Sequence, residues 1–97
     1  MKTKGRILNA LKMELPYLRG KFNVKTVGLF GSFARGEQTK KSDIDLLVEF
    51  ENPIGLFELV ELEEYLSGIL GAKVEIVTPD ALKPIMKPLV LKEVIYA

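Results

Sequence analysis

The stretch "GLFGSFARGEQTKKSDIDLLVEF", residues 28–50, decides how this chain is interpreted. An apolar run stops at Gly31 and Ser32, a short polar segment follows, and Asp43 and Asp45 then enter a second apolar run. Residues i and i+2 of a β-strand point to the same side of the sheet. The pattern therefore predicts two like charges on one face, which costs free energy unless a counter-charge neutralises them.

The composition limits the chemistry that the chain can perform. It has 97 residues, of which 47% are hydrophobic and 28% charged, and this favours one folded domain over residues 1–97. It contains no cysteine and no histidine, which excludes disulfides, thiolate nucleophiles, serine–histidine triads and imidazole zinc ligands. A metal ion would have to be held by oxygen, which indicates Mg²⁺, Mn²⁺ or Ca²⁺.

The charge balance and hydropathy indicate where the protein works. A formal net charge of +1 predicts no direct binding to nucleic acid and no attraction to an anionic membrane. No window approaches the roughly 20 apolar residues that a membrane span needs. Residues 1–16 are basic and amphipathic and lack the continuous apolar run of a signal peptide. We expect a cytoplasmic protein.

Helix-like and strand-like patterns alternate along the chain. Helical spacing predicts a helix over Thr3–Glu14, which Pro16 ends or kinks, with a further helical turn over Tyr17–Lys21 as an alternative. It also predicts a longer helix over Ile54–Leu70. The other predicted elements are strands at 24–30, 43–50 and 73–78, a short helical segment at 33–35, and helical pieces from residue 79 that end extended at 94–96. This order predicts an α+β, two-layer fold in which helices pack against a small mixed β-sheet.

Each half of the opening motif has an ordinary explanation when it is taken alone. Asp43 and Asp45 could lie on a solvated strand face, and Gly31-Ser32 could be a simple helix N-cap. Together they suit one chemistry, because a strand–helix junction can hold phosphate and a carboxylate pair can hold a divalent cation. In-line attack on a nucleoside triphosphate needs both, since catalysis there is mostly positioning and charge neutralisation.

The composite motif resembles the signature of the DNA polymerase β-like nucleotidyltransferase superfamily. The forms "GSFARG" and "SDIDLLV" are similar to its minimal nucleotidyltransferase (MNT) members, which are encoded beside HEPN-domain partners. The resemblance covers nearly the whole chain. It implies the nucleotidyltransferase fold, ATP as substrate, and Mg²⁺ as cofactor, with two ions expected and Mn²⁺ as an alternative.

The resemblance also implies roles for individual residues. Gly31 and Ser32 would hold the triphosphate, and Asp43 and Asp45 would be catalytic metal ligands. The family's third carboxylate is usually an aspartate on a following strand; here "KVEIVT" places Glu75 at that position, as a metal ligand or as the general base. This departure leaves room for reduced activity, or for a bound nucleotide with little turnover.

Two further candidates for nucleotide binding have structural alternatives. Arg35 could contact phosphate, or it could tie the short helix to an acidic neighbour. Ser42 could orient a carboxylate or cap the loop, and the structural role is favoured.

The resemblance implies that the chain transfers AMP from ATP to a tyrosine hydroxyl of a partner HEPN ribonuclease toxin, as a type VII-like antitoxin. Glu75 and the apolar, proline-broken segment 85–95 motivate a first alternative, a catalytically weak or inactive antitoxin that neutralises its partner by binding alone. Transfer to a small molecule is a second alternative. The oligomeric state, as a homo-oligomer or a hetero-oligomer with the partner, stays open.

Overall fold

The computed structural model describes residues 3–97 as helices packed on a four-stranded sheet. The predicted α+β fold with a mixed sheet is confirmed. The elements are α1 (Lys4–Phe22), β1 (Val24–Phe30), α2 (Ser32–Arg35), β2 (Ile44–Phe50), α3 (Leu56–Leu70), β3 (Val74–Val77), α4 (Lys87–Glu93) and β4 (Ile95–Tyr96), with a 3₁₀ turn at Pro79–Ala81 between β3 and α4.

The sheet topology brings the ends of three strands together. The strand order is β3-β2-β1-β4, in which β2 runs antiparallel to β1 and parallel to β3, and β4 runs antiparallel to β1. In this register Asp45 lies opposite Phe30 on one side and Glu75 on the other. One end of the sheet therefore carries the last residue of β1, the start of β2 and the middle of β3.

The first helix is longer than the sequence predicted. The expectation that it ends at Glu14 is wrong, because α1 runs through Pro16 to Phe22. Proline inside a helix removes one backbone hydrogen bond and costs roughly 3 kcal/mol. Pro16 is exposed, however, while Leu15 and Leu18 beside it are buried in the core, and this packing offsets the cost.

Within residues 3–97, no helix combines the length and apolar content that a membrane crossing requires.

The hydrophobic core lies between α1, α3 and one face of the sheet. Ile44, Leu46 and Val48 of β2 point into it and are 0%, 0% and 1% exposed. Burying such a side chain contributes roughly 1.5–3 kcal/mol. The two helices also meet through a hydrogen bond of 2.5 Å from the Tyr65 hydroxyl to the Glu14 carboxylate. One face of the sheet therefore carries the main hydrophobic cluster, while Leu47 is buried on the other face.

The other predicted boundaries agree with the structure to within a few residues. The long helix starts at Leu56 rather than at Ile54, because Gly55 is its N-cap and donates its N–H to Glu58 at 3.2 Å. It ends at Gly71, whose φ of 69° is the left-handed conformation that glycine adopts readily. The predicted C-terminal helical pieces and extended end are confirmed as the 3₁₀ turn, α4 and β4.

Candidate active site

The Gly-Ser turn and the aspartate pair form one structural unit through Gly31. This glycine has φ 79° and ψ −157°, a backbone conformation that L side chains rarely adopt. A Cβ at this position would collide with Asp45 Oδ2 and would lie 3.1 Å from Asp45 Cγ. The Gly31 carbonyl accepts hydrogen bonds from the N–H groups of Ala34 at 3.1 Å and Arg35 at 3.2 Å, which starts α2. Only glycine allows this close approach of the turn to Asp45.

Asp45 lies close to several other carboxylate groups. Burial raises the pKa of this half-buried carboxyl group, and the nearby carboxylates of Glu75, Asp43 and Glu93 raise it further, while Arg35 opposes them. The three carboxylates make the ionised form of Asp45 less favourable, and the positive charge of Arg35 makes it more favourable. A cation bound beside Asp45 would reverse this effect.

The two remaining predicted ligands lie on neighbouring segments, Asp43 just before β2 and Glu75 opposite Asp45 on β3. Asp43 is half-buried and directly precedes β2, which begins one residue later than predicted, where the Ile44 N–H donates to Lys73 O at 2.8 Å. Glu75 is exposed on β3. The structure thus brings Asp43, Asp45 and Glu75 to the same end of the sheet. The side chain of Glu75 is exposed to solvent, whereas those of Asp43 and Asp45 are half-buried.

Helix α3 fixes the strand that carries Glu75. The N–H groups on either side of it, from Val74 and Ile76, donate to Ser67 Oγ at 2.9 Å and to Glu63 Oε2 at 2.8 Å. These contacts satisfy backbone donors at the free edge of the sheet, which would otherwise be open to pairing with another strand. Glu75 therefore projects from a strand that is hydrogen-bonded on both sides.

The chemistry of these side chains fits a hard divalent cation, which prefers carboxylate oxygen. The raised pKa of Asp45 shows that its surroundings already disfavour a bare negative charge. In the part of the chain that the structure describes, no three acidic side chains are close enough together to hold a metal ion as they stand. Asp43, Asp45 and Glu75 offer the carboxylate oxygens that such an ion prefers, and metal ligation by them stays a prediction.

Glu93, at the end of α4, is a residue of this region that was not predicted from the sequence. Its Oε2 accepts the N–H of Gly31 at 2.8 Å, and its Oε1 accepts Nη1 of Arg35 at 2.8 Å. Burial opposes ionisation of Glu93, but the hydrogen bonds from Arg35 and Gly31 outweigh it and lower the pKa of this carboxyl group. The only available signal was a single glutamate in an otherwise apolar and basic segment, 62 residues from Gly31.

Arg35 makes the structural contact that was one of its two predicted roles. Its Nε donates to Glu37 at 2.8 Å while its Nη1 donates to Glu93. The hydrogen bond to Glu37, then that to Glu93, raises the pKa of the guanidinium further above its ordinary value. The acidic neighbours are therefore Glu37 and Glu93, and contact with phosphate stays a prediction.

The two serines differ in their surroundings. Ser42 caps the loop before β2, because its Oγ accepts the N–H of Thr39 at 2.9 Å and its own N–H donates to Thr39 O at 3.1 Å. The hydroxyl of Ser32 makes no hydrogen bond to another residue in the described range, and Ser32 is half-buried at the start of α2. Of the predicted phosphate contacts, the Ser32 hydroxyl has the fewest competing partners.

Comparison with known proteins agrees with this geometry. The sequence profile of the family described as "Nucleotidyltransferase domain" matches residues 8–97. Protein adenylyltransferase MntA of Thermococcus cleftensis is 46% identical over 90 residues, which cover 93% of this chain and 88% of that protein. A solved structure assigned as a minimal nucleotidyltransferase is 39% identical and superposes with a TM-score of 0.76, covering 91% of this chain and 90% of its own.

A crystal structure described as a toxin–antitoxin with AMP-PNP is 26% identical and has a TM-score of 0.74. The match covers 92% of this chain and 72% of that one. Motif, fold and relatives agree, and the chain belongs to the nucleotidyltransferase family, among its minimal members.

Proposed function

We propose that this chain transfers AMP from ATP to a tyrosine hydroxyl of a HEPN-domain ribonuclease toxin and thereby acts as its antitoxin. The observation that carries the proposal is the contact of Gly31 with Asp45, in which the Gly31–Ser32 turn lies directly against a carboxylate in register with Glu75. The adenylyltransferase name of the Thermococcus relative and the AMP-PNP in the similar toxin–antitoxin structure support it.

The site residues divide the work between phosphate and metal. Asp43 and Asp45 would hold Mg²⁺, as two ions with Glu75 as a further ligand, and Mn²⁺ would substitute. The bound metal supplies neutralisation of the triphosphate charge. Ser32 donates its hydroxyl to a phosphate oxygen, and the missing side chain of Gly31 lets the turn that carries Ser32 lie close to Asp45.

The transfer itself breaks one phosphorus–oxygen bond and forms another. The acceptor hydroxyl oxygen bonds to the α-phosphorus of ATP, and the bond from that phosphorus to the α,β-bridging oxygen breaks, so that pyrophosphate leaves with its electron pair. In the alternative role of Glu75 as general base rather than metal ligand, the hydroxyl proton passes to its carboxylate, which is exposed and can be reached by an acceptor from solvent.

A labelling experiment tests this proposal. Folded protein is incubated with Mg²⁺ and the product of the adjacent gene, with ATP labelled either at the α-phosphate or at the γ-phosphate. We expect the α-label and not the γ-label on the partner. Label from γ-ATP would indicate a kinase, and no label from either ATP would contradict transfer to this partner.

Neutralisation by binding alone is the second candidate function. It is favoured by the glutamate at position 75 and by the exposed apolar side chains near the C-terminus, such as Ile85 and Leu89, which are 78% and 61% exposed. An Asp43→Asn/Asp45→Asn variant that still neutralises the toxin fully in cells would support it. Transfer to a small molecule, the third candidate, would leave the α-label in the low-mass fraction.

The glutamate at position 75 can be examined directly. If its extra methylene limits turnover, Glu75→Asp should raise the rate of AMP transfer several-fold, because the carboxylate then returns to the position of the family's usual aspartate. Initial rates at saturating ATP measure this, with Glu75→Gln as the control that keeps the length but removes the charge. A rate for Glu75→Asp below that of the wild type would show that the site is adapted to glutamate.

A further inference from the structure

We propose that Glu93 is a positioning residue that holds the Gly31–Ser32 turn in the geometry needed for the triphosphate. The inference rests on the proposed nucleotide chemistry and assigns a role to a residue outside the opening motif. Glu93 lies at the end of α4 and reaches the turn with both carboxylate oxygens, each at 2.8 Å from its donor.

Gly31 is held from three directions, and Glu93 supplies one of them. Its Cα lies against Asp45, its carbonyl accepts the first hydrogen bonds of α2, and its N–H donates to Glu93. Gly31 is buried, and a buried N–H without an acceptor costs free energy. Without the carboxylate the peptide before Gly31 would rotate to find another acceptor, and Ser32 would move with it.

The same carboxylate also holds the far end of α2. Glu93 bonds Arg35, the last residue of this four-residue helix, as well as Gly31, its N-cap. Such a short helix cannot maintain its own direction, because helix formation needs many more residues to become favourable. Glu93 therefore fixes the direction of the segment that carries Ser32.

The opposite role, competition with phosphate for the Gly31 N–H, makes the opposite prediction. In that case removal of the carboxylate would strengthen nucleotide binding. Positioning is favoured because the Glu93 charge is already paired with Arg35, and its displacement would leave both that guanidinium and the Gly31 N–H without this acceptor. The sign of the change in affinity distinguishes the two roles.

The affinity for Mg²⁺-bound ATP, measured by calorimetry without any partner protein, tests the inference. We expect Glu93→Ala to weaken binding about tenfold, because two hydrogen bonds to a charged group are lost. Glu93→Gln keeps one acceptor oxygen at the same length and should recover part of this loss. Glu64→Gln, the same change on the exposed face of α3, should bind as the wild type does.

A control for stability separates positioning from a general loss of folding. Ile7→Val, in the core on α1, removes one buried methyl group and should lower the thermal transition while leaving ATP affinity unchanged. All variants are measured below their thermal transitions. Wild-type affinity in Glu93→Ala, or tighter binding, would overturn the inference while leaving the proposed function intact. Absence of ATP binding by the wild-type protein would overturn the proposed function and the inference with it.

Discussion

The two faces of β2 have different tasks. Ile44, Leu46 and Val48 point into the core and are almost completely buried, whereas Asp45 points to the other side, where burial and three neighbouring carboxylates raise its pKa. The first face stabilises the fold through apolar contacts that other side chains of similar volume could also make. The second is electrostatically unfavourable until it has a cationic ligand, which is typical of functional sites. The core contacts of Ile44, Leu46 and Val48 can therefore be tested separately from the charge of Asp45, although Leu47 is also buried on the Asp45 side.

The largest effect is expected from removing the carboxylates on the functional face. Asp43→Asn/Asp45→Asn should lower the rate of AMP transfer by about 10²-fold or more, because the charge that would hold the metal is lost. The pKa of Asp45 is raised in the folded state, so its charge opposes folding at neutral pH, and the melting temperature should stay the same or rise. Rates and thermal unfolding of the same preparations measure both quantities.

A substitution on the core face of β2 should lower the stability of the protein and leave ATP affinity unchanged. Leu46→Ala should lower the free energy of unfolding by about 2–5 kcal/mol, since it leaves a cavity among fully buried side chains. Chemical denaturation measures this loss. At a temperature where the variant is folded, ATP affinity should remain close to that of the wild type. Loss of ATP binding in the folded variant would show that the two faces are not independent.

The contact between Gly31 and Asp45 can be tested against a matched glycine. Gly31→Ala places a Cβ against the Asp45 carboxylate at a positive φ, whereas Gly36→Ala has a similar φ of 70° and no heavy atom within 4 Å of the added Cβ. Gly36→Ala should lose about 1–2 kcal/mol of stability from backbone strain. Gly31→Ala should lose more, because its backbone conformation is open essentially only to glycine and its Cβ also meets the Asp45 carboxylate. Only Gly31→Ala should also weaken ATP binding, as titration of both variants would show. Equal affinities would mean that the close approach to Asp45 is not needed for nucleotide binding.

The smallest effect is expected at the hydrogen bond between α1 and α3, the two helices that cover the core face of the sheet. The hydrogen bond from Tyr65 to Glu14, followed by burial and the charge of Glu14, raises the pKa of the tyrosine hydroxyl to about 12. A raised folded-state pKa means that this contribution to stability is complete below about pH 10 and is lost as the pH rises through about 12.

Unfolding measurements on the wild type and Tyr65→Phe at neutral and alkaline pH test this expectation. The wild type should be slightly more stable at neutral pH, and the difference should shrink at high pH. ATP affinity at neutral pH should be the same for both. A difference in stability that does not depend on pH would contradict the assigned hydrogen bond.

Local sequence patterns predicted most of the fold and the centre of the candidate site. Gly31-Ser32 and the Asp43/Asp45 pair lie within one short stretch, and strand periodicity together with glycine placement indicated their arrangement. The path of α1 through Pro16 could not be predicted in this way, because packing of the neighbouring leucines in the core outweighs the local preference of proline. Tertiary contacts decided that element.

A long-range contact also explains why the role of Glu93 was not predicted from the sequence. Glu93 reaches Gly31 across 62 residues, and only the antiparallel pairing of β4 with β1 places the end of α4 beside the turn. No local pattern encodes such a contact. The same is true of the contact between Arg35 and Glu93, which are 58 residues apart.

The intact mass of the partner protein, before and after incubation with this chain, ATP and Mg²⁺, tests the central claim most directly. The account predicts a mass increase by whole AMP units, mapped by fragmentation to a tyrosine, and no increase with Asp43→Asn/Asp45→Asn. An unchanged mass, with both proteins folded and ATP bound, would contradict the claim that this site transfers AMP to its partner.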